Sequence, residues 1–115
     1  MAYKSKENQA EASRLHYLRN KAKIKRRAAI NKKKARERNK KFIADYLSKH
    51  PCVDCAESDI IVLDFDHVRG KKRKNVADMV FQGLSIKTIQ AEISKCEVRC
   101  ANCHRRITQK RKTGI

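Results

Sequence analysis

Two pairs of cysteines constrain this chain more than any other feature of its sequence. Cys52 and Cys55 form one C-x-x-C turn, Cys100 and Cys103 form a second, and residues 56–99 lie between them. Each such turn brings two thiolates to one ion, and two turns complete the tetrahedral shell that zinc prefers. We therefore predict one structural zinc ion, with no open coordination position for chemistry. Four reduced, buried cysteines without a metal are the alternative.

The rest of the sequence favours metal binding over disulfide formation. The first residues are polar and charged and show no secretory signal, so we expect a reducing compartment in which paired cysteines ligate metal. The fifth cysteine, Cys96, lies outside both pairs and is predicted to be a buried, inert thiol. No window approaches the ~20 apolar residues that a membrane-spanning helix requires. We therefore expect no membrane partner.

The charge of the chain predicts a polyanionic partner. The 115 residues include 30 Lys and Arg against 12 Asp and Glu, a formal net charge of +18. Residues 1–50 alone hold 17 basic and 4 acidic residues. This excess favours nucleic acid, with DNA expected and RNA possible. An anionic membrane surface fits less well, because the basic segment has few bulky apolar residues to bury in lipid.

The N-terminal segment has the composition of a long helix. Residues 7–49 contain no Gly or Pro and are rich in Ala, Lys and Arg. Between residues 19 and 41 no apolar stripe persists, so we expect partial disorder that becomes helical on nucleic acid. A solvated helix without a partner is the alternative. Arg26 and Arg27 are expected to contact phosphates.

An apolar stripe at helical spacing begins at Phe42, and Pro51 ends that helix. We therefore divide the chain into a basic helical arm, residues 1–41, and a folded domain, residues 42–115. The folded domain mixes a β-branched run, Ile60–Phe65, with short helices, so its fold class is predicted to be α+β. The short helices are predicted over residues 76–81, with a stop near Gly83, after Ser85 as the N-cap, and over residues 105–112.

The predicted strand leads into Asp66 and His67, and His104 directly follows the second cysteine pair. Because both pairs meet at one zinc ion, these three residues are expected to lie close together. Asp66 and His104 have the chemistry to hold a divalent cation, Mg²⁺ or Mn²⁺. A neutral imidazole at His67 can accept a proton from water. The alternative is that His67 is a structural hydrogen-bonding residue, which is common at strand ends.

The segments LDFDHV and KCEVRCANCHRR resemble the HNH endonuclease family, in the branch whose ββα-metal finger carries a zinc site. The resemblance covers about residues 50–108. It implies a ββα-metal finger of phage or mobile-element type, interrupted here by two inserted helices. It also implies that Asp66 is a catalytic-metal ligand, His67 the general base and His104 the second metal ligand. The four paired cysteines become the structural zinc ligands.

The chain departs from this family at one position. The family has an asparagine nine residues before the final histidine, where it supports the loop that holds the base. Here that position is Lys95. Asn102, two residues before His104, or another group is expected to supply the support.

Basic residues beside the predicted site are expected to contact phosphates without reading base sequence. They are Lys71, Lys72, Arg73, Lys74, Arg105 and Arg106. The leading expectation is a metal-dependent DNA endonuclease, nicking or double-strand cleaving, in the cytoplasm or in a host cytoplasm if phage-encoded. A non-catalytic zinc-ribbon protein that binds nucleic acid is the alternative, and an accessory protein for structured RNA is a third possibility.

Overall fold

The structure, a computed structural model, describes residues 6–114 and has an α+β fold. In these residues four α-helices accompany one two-stranded antiparallel sheet. The predicted fold class and the long basic N-terminal helix are confirmed. The elements are α1 (Lys6–Ser48), β1 (Leu63–His67), α2 (Val76–Phe81), α3 (Ile86–Ile93), β2 (Cys96–Cys100) and α4 (Ala101–Thr113).

The chain divides into two compact units, and the boundary falls between Lys33 and Lys34. In the first unit, residues 6–33 are helical and none of them is buried. Part of this stretch was predicted to become helical on nucleic acid, and the structure has it as helix. High intrinsic helix propensity and the absence of Gly and Pro favour that helix.

The second unit begins earlier than the expected boundary at residue 42, because polar residues of α1 pack on the turn after α2. Asn39 is fully buried, and its amide donates a hydrogen bond of 2.9 Å to the Leu84 carbonyl. The Arg36 guanidinium bonds to the Phe81 carbonyl at 2.6 Å and lies 3.9 Å over the Phe81 ring. An apolar pattern does not reveal such contacts, because polar side chains make them.

The turn between α2 and α3 follows local sequence signals. Gly83 has a φ of +72°, a left-handed conformation that favours glycine after a helix. The N–H groups of Gly83 and Leu84 bond back to the carbonyls of Val80 and Met79, both at 3.1 Å. The Ser85 side chain then caps α3. The predicted bounds of α2 and the predicted cap of α3 are confirmed.

The sheet brings the two cysteine pairs to one place. β1 and β2 pair with Leu63 opposite Cys100 and His67 opposite Cys96. Because α4 begins directly after β2, its first turn lies at the Leu63 end of the sheet. Residues far apart in the chain therefore meet around this end of the sheet.

The predicted strand over residues 60–65 is wrong in its first half. Ile60–Val62 forms a turn of 3₁₀-helix, and the side chain of Ile61 is 87% exposed. The cause is Asp59, whose carboxylate accepts the Ile61 N–H at 3.0 Å and draws the backbone away from a sheet ladder. The β-branched composition predicts a strand, and this local hydrogen bond overrides it.

The core of the second unit has two apolar clusters. Ile43 and Tyr46 of α1 and Phe65 of β1 pack against both and join them. The predicted apolar stripe that begins at Phe42 does face this core. The first cluster consists of Leu47, Cys52, Leu63, Val98, Cys100 and Cys103, and the second of Val76, Met79, Ile89, Ile93 and Cys96. Within residues 6–114, no helix is long and apolar enough to cross a membrane.

Candidate metal centre and active site

The thiol cluster consists of Cys52, Cys55, Cys100 and Cys103. Their sulfur atoms all lie within 4.8 Å of one another, and the sulfurs of Cys55 and Cys100 are 3.7 Å apart. Tetrahedral zinc with Zn–S bonds of about 2.3 Å requires sulfur–sulfur distances of about 3.8 Å. The four side chains therefore fit a zinc ion. In the described part of the chain, this is the one group of three or more such ligands brought this close together.

Local backbone structure shapes both cysteine turns. After the first pair, Ala56 adopts a φ of +63° and its N–H bonds to the Cys52 carbonyl at 2.9 Å. In the second pair, Cys100 ends β2 and serves as the N-cap of α4. Its sulfur accepts the Cys103 N–H at 3.4 Å. Each cysteine pair thus lies in a hydrogen-bonded turn.

The thiols also have the electrostatics of a cation site. Burial raises the pKa of Cys52, but backbone hydrogen bonds around Cys100, Cys55 and Asp54 outweigh it and lower that pKa to about 6. The neighbouring Cys100 side chain, with burial, raises the pKa of Cys103 to about 12. Thiolates at this separation repel one another, and a cation bound among them offsets that repulsion.

Arg99 of β2 connects the thiol cluster to the end of β1. It is 8% exposed, and its guanidinium contacts three carboxylates. Nε lies 2.7 Å from Asp54, which is inside the first C-x-x-C turn, and Nη1 lies 2.7 Å from Asp66. Nη2 lies 2.8 Å from Glu97. One buried cation therefore joins the two parts of the site.

The strand-end cluster consists of Asp64, Asp66, His67 and His104. Asp64 and Asp66 are two residues apart on β1, so they share the face of the strand that meets α4. His104 lies between them, with Nδ1 3.3 Å from Asp64 Oδ2 and Nε2 3.4 Å from Asp66 Oδ1. The expected proximity of Asp66 and His104 is therefore present in the structure.

Asp64 contacts His104 in the way that a carboxylate contacts a metal-binding histidine. Asp64 was not predicted as a site residue from the sequence. A histidine that donates its Nδ1–H to a carboxylate keeps the Nε2 lone pair free. Here that lone pair would face an oxygen of Asp66, which is also an acceptor. Two facing acceptors are stabilised by a cation or a proton between them. The signal in the sequence was the spacing of Asp64 and Asp66, two residues apart on one strand.

Asp66 is 3% exposed and is also bound by Arg111. The two terminal nitrogens of Arg111 lie 3.0 Å from Oδ1 and 2.9 Å from Oδ2. Burial raises the pKa of Asp66, but Arg111 and Arg99 outweigh it and hold that pKa below its usual value. Arg111 follows His104 by seven residues, about two turns of α4, which places both on one side of the helix. The guanidinium of Arg111 therefore lies beside Asp66, where a metal cation bound to that carboxylate would lie.

His67 faces the opposite side of β1 from Asp66. Its Nε2 lies 2.9 Å from Oε2 of Glu92, a residue of α3 that is 2% exposed. Among residues 6–114, no hydrogen bond to its Nδ1 is present. His67 and His104 both line one open cleft, together with Asp64 and apolar residues of α1 and α2.

Lys95 holds the loop after His67, at the position where an asparagine was expected. Its carbonyl accepts the N–H groups of Val68 at 2.9 Å and Arg69 at 3.2 Å. Its ammonium donates to the Lys71 carbonyl at 2.8 Å and to Glu92 Oε1 at 2.9 Å. Lys95 itself therefore supports this loop, a role that was expected of Asn102 or another group.

Asn102 lies elsewhere. It is exposed in the first turn of α4, in a shallow groove with Cys55 and Arg106 beside the thiol cluster. Within the described residues, no hydrogen bond joins it to the loop after His67.

The basic loop of residues 71–74 is exposed, and two of its residues have contacts besides that of the Lys71 carbonyl with Lys95. The Arg73 N–H donates to Glu92 at 3.0 Å, and the Lys74 ammonium bonds to Gln82 at 2.7 Å. Lys71 and Lys72 are exposed. This loop therefore presents a cationic surface while its backbone is attached to α3.

The remaining predicted phosphate contacts are on two helices. Arg105 and Arg106 are exposed on α4, and Arg105 lines a shallow groove with His104 and Lys112. Arg26 and Arg27 are exposed on α1, within the first compact unit.

Cys96 is buried, as predicted, and its sulfur donates to the Glu92 carbonyl at 3.4 Å. Burial, with the nearby Glu92 and Asp66 carboxylates, raises its pKa to about 11, which keeps the thiol protonated. Cys96 is thus a packing residue, distinct from the thiol cluster.

Comparisons with protein-family models, curated proteins and solved structures find no match to this chain.

Proposed function

We propose that this protein is a metal-dependent DNA endonuclease of the HNH type, which hydrolyses phosphodiester bonds with His67 as the general base. The observation that carries the proposal is the position of His104 between two carboxylates, 3.3 Å from Asp64 and 3.4 Å from Asp66. That arrangement suits a histidine oriented by one carboxylate and sharing a cation with the other.

The order of elements around the site also supports the proposal. β1 and β2 are antiparallel and α4 follows β2 directly, as a ββα-metal finger requires. Asp66 and His67 end β1, and His104 lies in the first turn of α4. The thiol cluster, with zinc as its proposed ion, holds this turn beside the sheet.

Asp66 and His104 would hold the divalent ion, Mg²⁺ or Mn²⁺. When bound, such an ion stabilises charge on the scissile phosphate and on the leaving oxygen. Asp66 can serve as a ligand only when Arg111 releases its oxygens. The side chain of Arg111 is 46% exposed and so has solvent into which it can move.

His67 would take the proton from the attacking water, because its Nδ1 makes no hydrogen bond with any of the residues that the structure describes. It lines the same cleft as His104, and the proposal places the scissile phosphate in that cleft. Burial of the Nε2 edge against Glu92 leaves Nδ1 as the nitrogen available for that transfer.

The proposed substrate is DNA, and the charge of the chain supports it. Arg105 and Lys112 border the groove beside His104, where they can contact phosphates on either side of the cleaved bond. The basic helix of residues 6–33 supplies further contacts that do not depend on base sequence. RNA has the same phosphate chemistry and is a possible second ligand.

A plasmid-cleavage assay with full-length, zinc-loaded protein tests the activity. With Mg²⁺ or Mn²⁺ the wild type is expected to nick or linearise supercoiled DNA, and a chelator is expected to stop it. His67→Ala is expected to lower the rate by at least about 100-fold, because a general base contributes about 10²–10⁴-fold. Binding in a gel-shift assay is expected to stay unchanged.

The matched control is His50→Ala, because His50 is an exposed histidine stacked on Tyr46 at the end of α1. It is expected to cleave like the wild type. If the wild type and His67→Ala both shift the plasmid and leave it equally intact, the endonuclease proposal is wrong. A non-catalytic zinc-ribbon protein that binds nucleic acid is then the better description.

The contribution of the arm is tested by the double variant Arg26→Gln/Arg27→Gln. The slope of log affinity against log salt becomes shallower by about 0.9 for each phosphate that the protein no longer neutralises. The double variant is therefore expected to flatten that slope by roughly two and to bind DNA more weakly. Lys87→Gln, at an exposed position of α3, is the control. An unchanged slope in the double variant contradicts the role of these arginines.

A further inference from the structure

We infer that Glu92 is the residue that positions His67, and that Lys95 holds Glu92 in that role. The inference deepens the proposed function, since it rests on His67 acting as the base. The role expected of the asparagine, support of the loop that holds the base, then belongs to Glu92 and Lys95, which are three residues apart in the chain. Neither member of the pair was identified as a site residue from the sequence.

The Glu92 carboxylate is held by three partners in a buried setting. Its Oε2 lies 2.9 Å from His67 Nε2 and accepts the Arg73 N–H at 3.0 Å. Its Oε1 accepts the Lys95 ammonium at 2.9 Å. Because both oxygens are engaged, the carboxylate cannot rotate without breaking a bond. The imidazole that contacts it is therefore fixed in orientation.

The charge of Glu92 determines which nitrogen of His67 carries the proton. Burial raises the pKa of Glu92, but Lys95, the Arg73 N–H and His67 outweigh it and lower that pKa to about 2. An ionised carboxylate only accepts hydrogen bonds, so His67 must donate from Nε2. The lone pair of the neutral ring is then on Nδ1. Glu92 thus selects the tautomer whose basic nitrogen is free.

Lys95 acts on both sides of the base. Its ammonium fixes Glu92 and also bonds to the Lys71 carbonyl at 2.8 Å, while its own carbonyl accepts the N–H groups of Val68 and Arg69. The loop that follows His67 and the carboxylate that orients its ring are thereby tied to one residue. This double attachment explains how a lysine can stand where an asparagine was expected.

The tautomer of His67 tests the inference without any need for cleavage. Long-range ¹H–¹⁵N NMR spectra of the zinc-loaded full chain would be recorded at a pH where the imidazole is neutral. The wild type is expected to have the proton on Nε2. Glu92→Met keeps the length of the side chain but removes the acceptor, and it is expected to give a mixture of tautomers. The control Glu97→Met, on β2, is expected to keep the wild-type tautomer.

A double variant that restores a hydrogen-bond acceptor at residue 92 separates a positioning role of Glu92 from a role in folding. In Glu92→Gln/Lys95→Met the amide oxygen can accept from His67 and Arg73, and no ammonium opposes the amide NH₂. This double variant is expected to keep the proton on Nε2. In single-turnover cleavage, Glu92→Met is expected to be slower by at least about tenfold with unchanged DNA affinity. The double variant restores the acceptor but lacks the Lys95 ammonium, so it is expected to regain part of that loss. The double variant also provides the test if Glu92→Met does not fold.

The two levels of the proposal fail in different ways. A wild-type proton on Nδ1, or a folded Glu92→Met with an unchanged tautomer, overturns the positioning role. A double variant with the proton on Nδ1 overturns it as well. A wild type that leaves DNA intact overturns the endonuclease proposal, and the NMR result then still decides whether Glu92 orients His67.

Discussion

The thiol cluster and the strand-end cluster are built on the same sheet and the same helix, α4, yet they differ in how their charges are balanced. The thiol cluster collects four ligands of one kind at one point, with no cationic side chain among them. The strand-end cluster balances Asp66 with two arginines and a histidine. The first arrangement has the ligands to hold a metal cation, whereas in the second the protein's own cations balance the carboxylate.

The two clusters also differ in how far their side chains are exposed to solvent. Three of the four cysteines are buried, so a metal held there is shielded from solvent. Asp64 and His104 have side chains 49% and 32% exposed. A closed set of thiolates suits a permanent structural ion, and an open set of mixed ligands suits an exchangeable ion and a substrate. Three predictions test this contrast, in order of decreasing effect.

Removal of metal from the thiol cluster is expected to have the largest effect. Structural zinc contributes about 10–16 kcal/mol in small zinc domains, which is comparable to the whole stability of a folded domain. A strong chelator, or Cys100→Ser, is therefore expected to unfold residues 34–114. Loss of dispersion in ¹H–¹⁵N NMR spectra, measured with the zinc content, would report it. Cys96→Ser is the control and is expected to keep one zinc ion per chain. Retained dispersion after complete loss of zinc would refute this role.

Arg99→Met is expected to have the next largest effect, because it breaks the connection between the two clusters. Removing one partner of a buried ion pair costs about 3–5 kcal/mol, since the other charge stays buried and unpaired. We expect a loss of about 3 kcal/mol in the free energy of unfolding, measured by urea denaturation. Arg106→Met, at an exposed position of α4, is expected to change it by no more than about 0.5 kcal/mol. A loss below about 1 kcal/mol for Arg99→Met would mean that the clusters are held independently.

Arg111→Met is expected to change stability least, because the arginine is half exposed and such pairs contribute about 1 kcal/mol or less. Its effect should appear in metal binding, since the guanidinium competes for the oxygens of Asp66. Mn²⁺ affinity, measured by calorimetry without DNA, is expected to rise by roughly three- to tenfold. Lys110→Met on the same helix is expected to leave it unchanged. Weaker Mn²⁺ binding by Arg111→Met would show that the arginine supports the site and does not compete for it.

The sequence by itself determined the features that depend on near neighbours. The paired cysteines predicted their own cluster, because a C-x-x-C turn arranges two sulfurs locally. The stripe from Phe42, the stop at Gly83 and the cap at Ser85 follow from side-chain periodicity and turn chemistry. The strand over residues 60–65 was wrong in part, because one side-chain hydrogen bond from Asp59 outweighed β propensity.

Only the tertiary structure decided which distant residues complete the site. Alternation along β1 sends Asp66 toward α4 and His67 toward α3, so two adjacent residues acquire unrelated partners. A shift of one residue in the strand register would exchange those faces. The contacts of Arg111 with Asp66 and of Glu92 with His67 depend on that register and on helix packing. No local pattern encodes them, which is why the sequence singled out Asp66 and His67 but not Arg111 and Glu92.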